Sequence, residues 1–315
     1  MTREAATRHV YGPVPSRRLG RSLGIDLVPY KTCSYDCIYC QLGRTTCRTV
    51  QRKEWAPIGR VIEEVARSLP AGPDYITLSG SGEPTLCTRL DELIGGIKSA
   101  TATPIAVLTN GSLLWQDQVR KELLNADLVV PSLDAGEPVK FRYINRPHED
   151  ISFEKMLDGL MAFRSDFKGQ YWLEVFLLAG YTAIEADVEK IARCVDRIQP
   201  DRVQLNTATR PTAEPFAEPV SPSRLAELAS MFRPPAEVIA EFTGGQREKL
   251  ASALPEQVLN MLRRRPCSIQ DLANGLSVHP NEVVKHLVRL TADGLVQQER
   301  SGSKLYHKAK HTAAV

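Results

Sequence analysis

From residue 24 to about residue 205, short runs of apolar and β-branched residues alternate with longer stretches whose apolar positions recur at helical spacing. The short runs predict strands at Gly24–Val28, Tyr75–Leu78, Ile105–Leu108, Leu128–Val130, Trp172–Leu178 and Val203–Leu205. The longer ones predict helices at Ile58–Ser68, Leu90–Ala100, Gln116–Asn125, Phe153–Phe163 and Asp187–Gln199, the first with Val61, Ile62, Val65 and Ala66 on one apolar face. Strand and helix in alternation is the pattern of βα units around a parallel sheet. The six strands satisfy a partial (β/α)6 TIM-type barrel, and an open doubly wound sheet satisfies the same pattern. In both folds ligands gather beyond the C-terminal ends of the strands, so residues just past each strand are where chemistry is expected.

The pattern changes after Thr209. Prolines are frequent up to Pro222, Gly244-Gly245 follows, and from Pro255 the spacing predicts a helix to Arg265 with Val258, Leu259 and Leu262 on one face. A second helix is capped by Ser268 and runs through Leu272; a third opens at Pro280 with Val283, Val284, Leu287 and Leu290 buried. Gly294–Gln298 and Lys304–Lys308 read as a hairpin across Ser301-Gly302. The expected division is a barrel domain over 1–242, a linker over 243–254 and a small domain over 255–315. The order of elements in the small domain resembles a winged helix-turn-helix. That resemblance implies a third helix presenting Asn281, Lys285 and Arg289, and a hairpin presenting Arg300, Lys304, His307 and Lys308, to nucleic-acid phosphates. Winged helices also dock proteins, so a nucleic acid and a protein are both expected partners.

Composition excludes few classes. Of 315 residues 24% are charged and 43% hydrophobic, the net charge is +3, and no apolar run is long enough to span a bilayer. From Pro255 onward nine Lys or Arg face five Asp or Glu, so the excess of positive charge sits in the small domain. The cysteine count of seven is odd, there is no signal peptide, and the chain is long enough to bury a core without staples. Reduced thiols and a cytoplasmic location are expected.

The candidate chemistry starts just past the first strand with Cys33, Cys37 and Cys40, in the run Cys-Ser-Tyr-Asp-Cys-Ile-Tyr-Cys. A loop that wraps three thiolates around a cubane leaves one iron open to a small molecule. A structural zinc site wants four closed ligands, and Cys47 is the only further cysteine near enough in sequence to serve. Past the second strand comes Ser79-Gly80-Ser81-Gly82-Glu83-Pro84, where glycines let backbone approach a ligand closely. Thr109-Asn110-Gly111 follows the third strand and Pro131-Ser132-Leu133-Asp134 the fourth.

The cysteine spacing, with an aromatic before the last cysteine, resembles the radical S-adenosylmethionine (radical SAM) superfamily, and the glycine turn resembles its Gly-Gly-Glu-Pro motif, with Ser81 in place of the first glycine. The resemblance implies a [4Fe-4S] cluster on Cys33, Cys37 and Cys40, with S-adenosylmethionine completing the open iron and its amino-acid end held at Gly82 and Glu83. It implies Tyr39 beside the adenine, Ser132 and Asp134 on the ribose side, and Thr109 facing substrate. Short hydroxyl and carboxylate side chains suit sugar hydroxyls, although Ser and Asp after a strand also serve as ordinary caps. The implied activity is hydrogen abstraction by a 5′-deoxyadenosyl radical, fed by an electron donor such as flavodoxin or ferredoxin. No residue is assigned to the chemical step itself.

Gly12 to Arg21 is basic and turn-rich and resembles a signature of an iron–sulfur oxidoreductase subgroup related to wybutosine-type tRNA-modifying radical enzymes; that resemblance covers most of residues 10–240. This stretch and Arg142-Tyr143-Ile144-Asn145-Arg146-Pro147 are solvated loops or offer guanidinium forks to an anionic substrate. A function of another class is a cluster-based redox-sensing DNA-binding regulator, which needs the cysteines and the winged helix but has no use for Gly82-Glu83-Pro84.

Overall fold

The computed structural model describes residues 8–240 and 255–310 apart from 277, 279 and 303, so the expected linker lies outside the described residues. In chain order the strands are β1 Val10–Ser16, β2 Gly20–Ile25, β3 Thr32–Cys33, β4 Cys47–Arg48, β5 Tyr75–Leu78, β6 Ile105–Thr109, β7 Leu128–Pro131, β8 Gln170–Leu177, β9 Arg202–Thr207, β10 Glu237–Val238, β11 Val296–Ser301 and β12 Lys304–Ala309. The α-helices are α1 Ile58–Ser68, α2 Leu90–Ala100, α3 Asp117–Leu123, α4 Pro138–Asn145, α5 Phe153–Asp166, α6 Glu185–Ile198, α7 Pro222–Ala229, α8 Pro255–Arg264, α9 Ile269–Leu276 and α10 Pro280–Ala292.

One sheet of eight strands runs in the order β1-β2-β5-β6-β7-β8-β9-β10. All its pairings are parallel except that of β1 with β2. The strands from β2 onward follow chain order without reversal, whereas a doubly wound sheet reverses at a switch point. The fold is therefore a mainly parallel α/β sheet in barrel topology. One face of each strand packs on the helices: Leu23, Ile76, Val107, Val129 and Leu173 are fully buried in the main core with Val61 and Val65 of α1. The opposite face is more polar, with Ser22 and Thr77 sharing a hydroxyl–hydroxyl bond of 2.5 Å. At its lower end Leu19, from the turn between β1 and β2, packs on Ala106, Leu128, Val130 and Trp172 as a plug.

Several boundaries differ from the sequence expectation. The first parallel strand ends at Ile25, and residues 26–28 have already left the sheet to enter the cysteine loop. Ser152 caps α5 by accepting the Lys155 N–H at 3.1 Å. The basic stretch Arg142–Pro147 after the fourth strand, read as a solvated loop or an anion contact, begins inside α4, which has Pro138 in its first turn and Phe141, Ile144 and Asn145 buried.

In the C-terminal unit, α8, α9, α10 and the β11–β12 hairpin share a separate core that includes Val258, Leu262, Leu272, Val283, Leu287 and Val296. The second helix runs on to Leu276. Two expectations fail here. Val284 is 39% exposed, because the buried stripe of α10 follows Val283, Leu287 and Leu290 and the next residue turns away from it. His307 is 3% exposed, because its backbone pairs with Cys267 through bonds of 2.9 and 2.8 Å that draw it under the hairpin. The unit leans on β1 through Val14 and is tied to the loop after β9 by the Tyr306 hydroxyl, which donates to the Thr209 carbonyl at 2.8 Å. Among the described residues no helix is long and apolar enough to cross a membrane.

Candidate active site

The cysteine loop is held from three sides. Asp36 accepts the Thr45 amide at 2.7 Å and the Arg44 Nε at 2.8 Å, closing the loop on itself. The end of α4 supplies backbone carbonyls: Ile144 accepts the Ile38 amide at 2.9 Å and Asn145 the Asp36 amide at 3.0 Å. The glycine turn pairs with the loop entrance, Lys31 N–H to the Ser81 carbonyl at 2.8 Å and Glu83 N–H to the Thr32 carbonyl at 3.1 Å. A Cβ on Gly82 would lie 1.8 Å from that Thr32 oxygen, so only glycine fits there. Ser81, where the family motif has glycine, is used locally: its hydroxyl donates to Asp26 at 2.6 Å.

Each cysteine sulfur receives a side-chain N–H donor from a different part of the chain. Lys31 Nζ is 3.1 Å from Cys40 Sγ, Asn145 Nδ2 3.5 Å from Cys37 Sγ, and Asn110 Nδ2 3.6 Å from Cys33 Sγ. Burial, with Glu83 second, pushes the Cys33 thiol up to about 12. Burial, then Asp134 and the other two cysteines, raises Cys37 well above its ordinary value. Burial pulls the Lys31 ammonium down, but the cysteine sulfurs outweigh it and the net shift is upward. Ionised sulfur at Cys33 and Cys37 is therefore disfavoured here without added positive charge, which a bound iron cluster would supply. Among the described residues no three His, Cys, Asp or Glu side chains converge as the ligands of a single metal ion. A cubane spreads its thiolates over separate irons and needs no such convergence.

Glu83 is 2% exposed and heavily bonded. Its Oε1 accepts the Thr85 amide at 3.0 Å, the Thr85 hydroxyl at 2.6 Å and the Thr109 hydroxyl at 2.6 Å, while Oε2 accepts only the Asn110 amide at 2.7 Å. A carboxylate oxygen has two lone pairs, so Oε2 keeps one acceptor position for a cationic ligand. Burial raises the Glu83 carboxyl above its ordinary value, opposed by these bonds.

A cavity of about 410 Å³ brings together Cys33, Cys40, Tyr39, Gly82, Glu83, Thr109 and Ser132, all at the C-terminal ends of the parallel strands. A larger, open concavity of about 660 Å³ beside Asp127, Arg164, Lys168 and Asp201 borders the N-terminal starts of β8 and β9, the end of a parallel sheet where ligands are not collected. Asp134 is outside the cavity lining and otherwise engaged. Its carboxylate accepts the Tyr39 hydroxyl, the Asn145 amide at 2.7 Å and the Phe176 N–H at 3.0 Å. Tyr39 in turn stacks on Phe176 with ring centroids 4.0 Å apart. Asp134 thus braces the wall behind Cys37. Thr109 meets Glu83, so its hydroxyl is already committed to holding the carboxylate.

The family profile of the radical SAM superfamily matches residues 27–195, which spans the cysteine loop, the glycine turn and Ser132. The chain belongs to the radical SAM superfamily. It is 35% identical to a UPF0026 protein of Methanocaldococcus jannaschii, over 88% of this chain and 85% of that one. It is 32% identical to a UPF0026 protein of Helicobacter pylori, over 95% of this chain and 97% of that one. It is also 40% identical over 93% of its length to a protein of Brachyspira hyodysenteriae named GTPase Obg, of which it spans 44%. Among solved structures, a radical SAM methyltransferase from Sphaerobacter thermophilus has the same fold, with a TM-score of 0.53 at 18% identity over 71% of this chain and 67% of that one.

Sequence reasoning missed Lys31 and Asn145 as partners of the cysteines, and it missed how the Arg17–Arg18 turn enters the same cavity. These contacts join residues from separate elements, and neither periodicity nor motif spacing encodes them.

Proposed function

We propose that this radical SAM protein is an enzyme that holds a [4Fe-4S] cluster on Cys33, Cys37 and Cys40 and S-adenosylmethionine against Gly82 and Glu83. One observation carries the reading: three partly buried thiols each receive a side-chain N–H donor, and two of them, Cys33 and Cys40, border the same cavity as a buried carboxylate with an acceptor position to spare. When bound, cluster and cofactor supply a 5′-deoxyadenosyl radical that abstracts hydrogen from a substrate. The residues of the chain do the positioning. Asn110, Asn145 and Lys31 orient the sulfurs and offset their charge; Thr85, Thr109 and the Asn110 amide donate to Glu83 and favour its ionised, acceptor-only form against the effect of burial. Tyr39, fixed by Phe176 and Asp134, offers a flat face for the adenine, and Ser132 a hydroxyl for the ribose.

We read the C-terminal unit as a winged helix on the order of its three helices and hairpin. Flavodoxin or ferredoxin is the class of electron donor this chemistry requires. The regulator alternative leaves the cavity placement of Glu83 without a purpose. The test is anaerobic reconstitution of wild type and of Cys33→Ala, Cys37→Ala and Cys40→Ala. Matched iron and sulfide in wild type, lost in each variant, supports the reading; unchanged iron in the variants contradicts it.

A further inference from the structure

The same cavity continues to a wall lined by Arg17, Arg18, Arg210, Arg264 and Arg265. Two of these are neutralised by carboxylates, Arg18 by Glu174 and Arg264 by Asp26. The Arg210 side chain is 10% exposed and meets Asp271 only at 3.5 Å. Arg17 donates to neutral acceptors, Asn206 Oδ1 at 2.7 Å and the Ala240 carbonyl at 3.4 Å. Neither Arg17 nor Arg265 has a carboxylate in ion-pair contact among the described residues. Burial, reinforced by the charges of Arg210 and Arg265, pulls the Arg17 guanidinium down to about 10. Three guanidinium nitrogens of this wall, Arg18 Nη1, Arg210 Nε and Arg264 Nε, are buried without an acceptor. Buried donors are nearly always satisfied, and buried cations are paired. Among the described residues the wall is short of an anion.

We propose that Arg17, Arg210 and Arg265 form a subsite for the carboxylate or phosphate group of a small substrate. This rests on the function proposed above, because the rest of such a substrate then faces the cofactor. Planar guanidinium forks match both anions and hold them in a fixed orientation, which hydrogen abstraction at one carbon requires. The subsite is distinct from the cofactor's amino-acid end. Glu83 lies past β5, whereas Asn206 is the last residue but one of β9 and Arg210 follows that strand, with β6, β7 and β8 between. Met261 and Arg264 of α8, with Arg265 just beyond it, line the same cavity, so the C-terminal unit contributes to the proposed subsite.

The test is titration calorimetry at low ionic strength on the full-length protein, with and without S-adenosylmethionine, using inorganic phosphate in one arm and malonate in the other. Saturable binding in at least one arm is expected, and that arm identifies the anion. It should weaken about tenfold or more in Arg17→Gln and in Arg210→Gln. Arg17→Lys and Arg210→Lys, which keep the charge and lose the fork, should fall between and guard against misfolding. Cofactor affinity should stay within about twofold, since these residues are not its ligands. Absence of saturable binding in both arms overturns the proposal, as does undiminished binding in both Gln variants. A parallel loss of cofactor affinity overturns it too, because the arginines would then serve the cofactor's own carboxylate. A wild type that binds no S-adenosylmethionine, yet binds the anion through Arg17 and Arg210, refutes the proposed function and leaves the subsite standing.

Discussion

Replacing Glu83 by Gln separates the carboxylate's work on the cofactor from its work on the fold. Three donors converge on Oε1 and one on Oε2, so the Gln carbonyl is expected to take the Oε1 position. Its NH2 group then faces the Asn110 N–H, which at 2.7 Å had been donating to Oε2. One buried backbone donor loses its partner, which costs about 1–3 kcal/mol of stability and lowers Tm by a few degrees. The acceptor position left for the cofactor's ammonium disappears with the negative charge. Losing a charge-assisted bond of about 2 kcal/mol raises the S-adenosylmethionine Kd roughly 30-fold. Iron content should not change, because the turn meets the cysteine loop through the Glu83 N–H and the Thr32 carbonyl. Calorimetry on the anaerobically reconstituted variant, paired with iron determination, reads both effects. A Kd within about threefold of wild type, or loss of iron with the carboxylate, refutes the reasoning.

Lys31→Met removes a charge 3.1 Å from Cys40 and should lower the cluster's reduction potential, on the order of 100 mV for a unit charge at an effective dielectric constant near 20; an EPR-monitored redox titration measures it, and an unchanged potential counts against the lysine's role. Gly82→Ala forces a methyl into the Thr32 carbonyl, and it should cost about 1–3 kcal/mol or more and loosen the cysteine loop, seen as substoichiometric iron after reconstitution. Tyr306→Phe deletes the bond to Thr209 and should cost about 1 kcal/mol, with faster amide exchange in α8 by mass spectrometry. Burial holds the His307 imidazole below its ordinary 6.5, so the unfolded chain binds more protons just below that pH. Its contribution to stability is complete above pH 6.5 and declines as pH falls from there toward the lowered folded value; His307→Phe should flatten the Tm-against-pH curve over that range.

The helices of the barrel were legible because each has an apolar stripe, as in α1 and α2, and the strands because they are short apolar runs bounded by turns. The order of the strands was not, since hydrophobic period carries no information about which strand lies beside which. Strand β1 escaped notice because Pro13 and Pro15 interrupt it, which an edge strand tolerates. Helix α4 was obscured by Lys140 and Arg142, although Pro138 and the spacing of Phe141 and Ile144 signalled it. The cysteines and Gly82-Glu83 were legible because their chemistry is local in sequence. Asp134 could be found but not its partners: only the fold sets it against Tyr39 and Asn145. The arginine wall was invisible for the same reason, since Arg17 and Arg210 come within reach of one another only when the β1–β2 turn folds in and the loop after β9 meets α9.

The central claim is that this site generates a radical from S-adenosylmethionine. The most direct measurement is anaerobic reconstitution, reduction with dithionite, addition of S-adenosylmethionine and chromatography for 5′-deoxyadenosine, with Cys37→Ala in parallel. The account predicts 5′-deoxyadenosine from wild type and none from the variant. A reduced, cluster-loaded wild type that binds S-adenosylmethionine and releases no 5′-deoxyadenosine, even when cell extract supplies substrate, would contradict it.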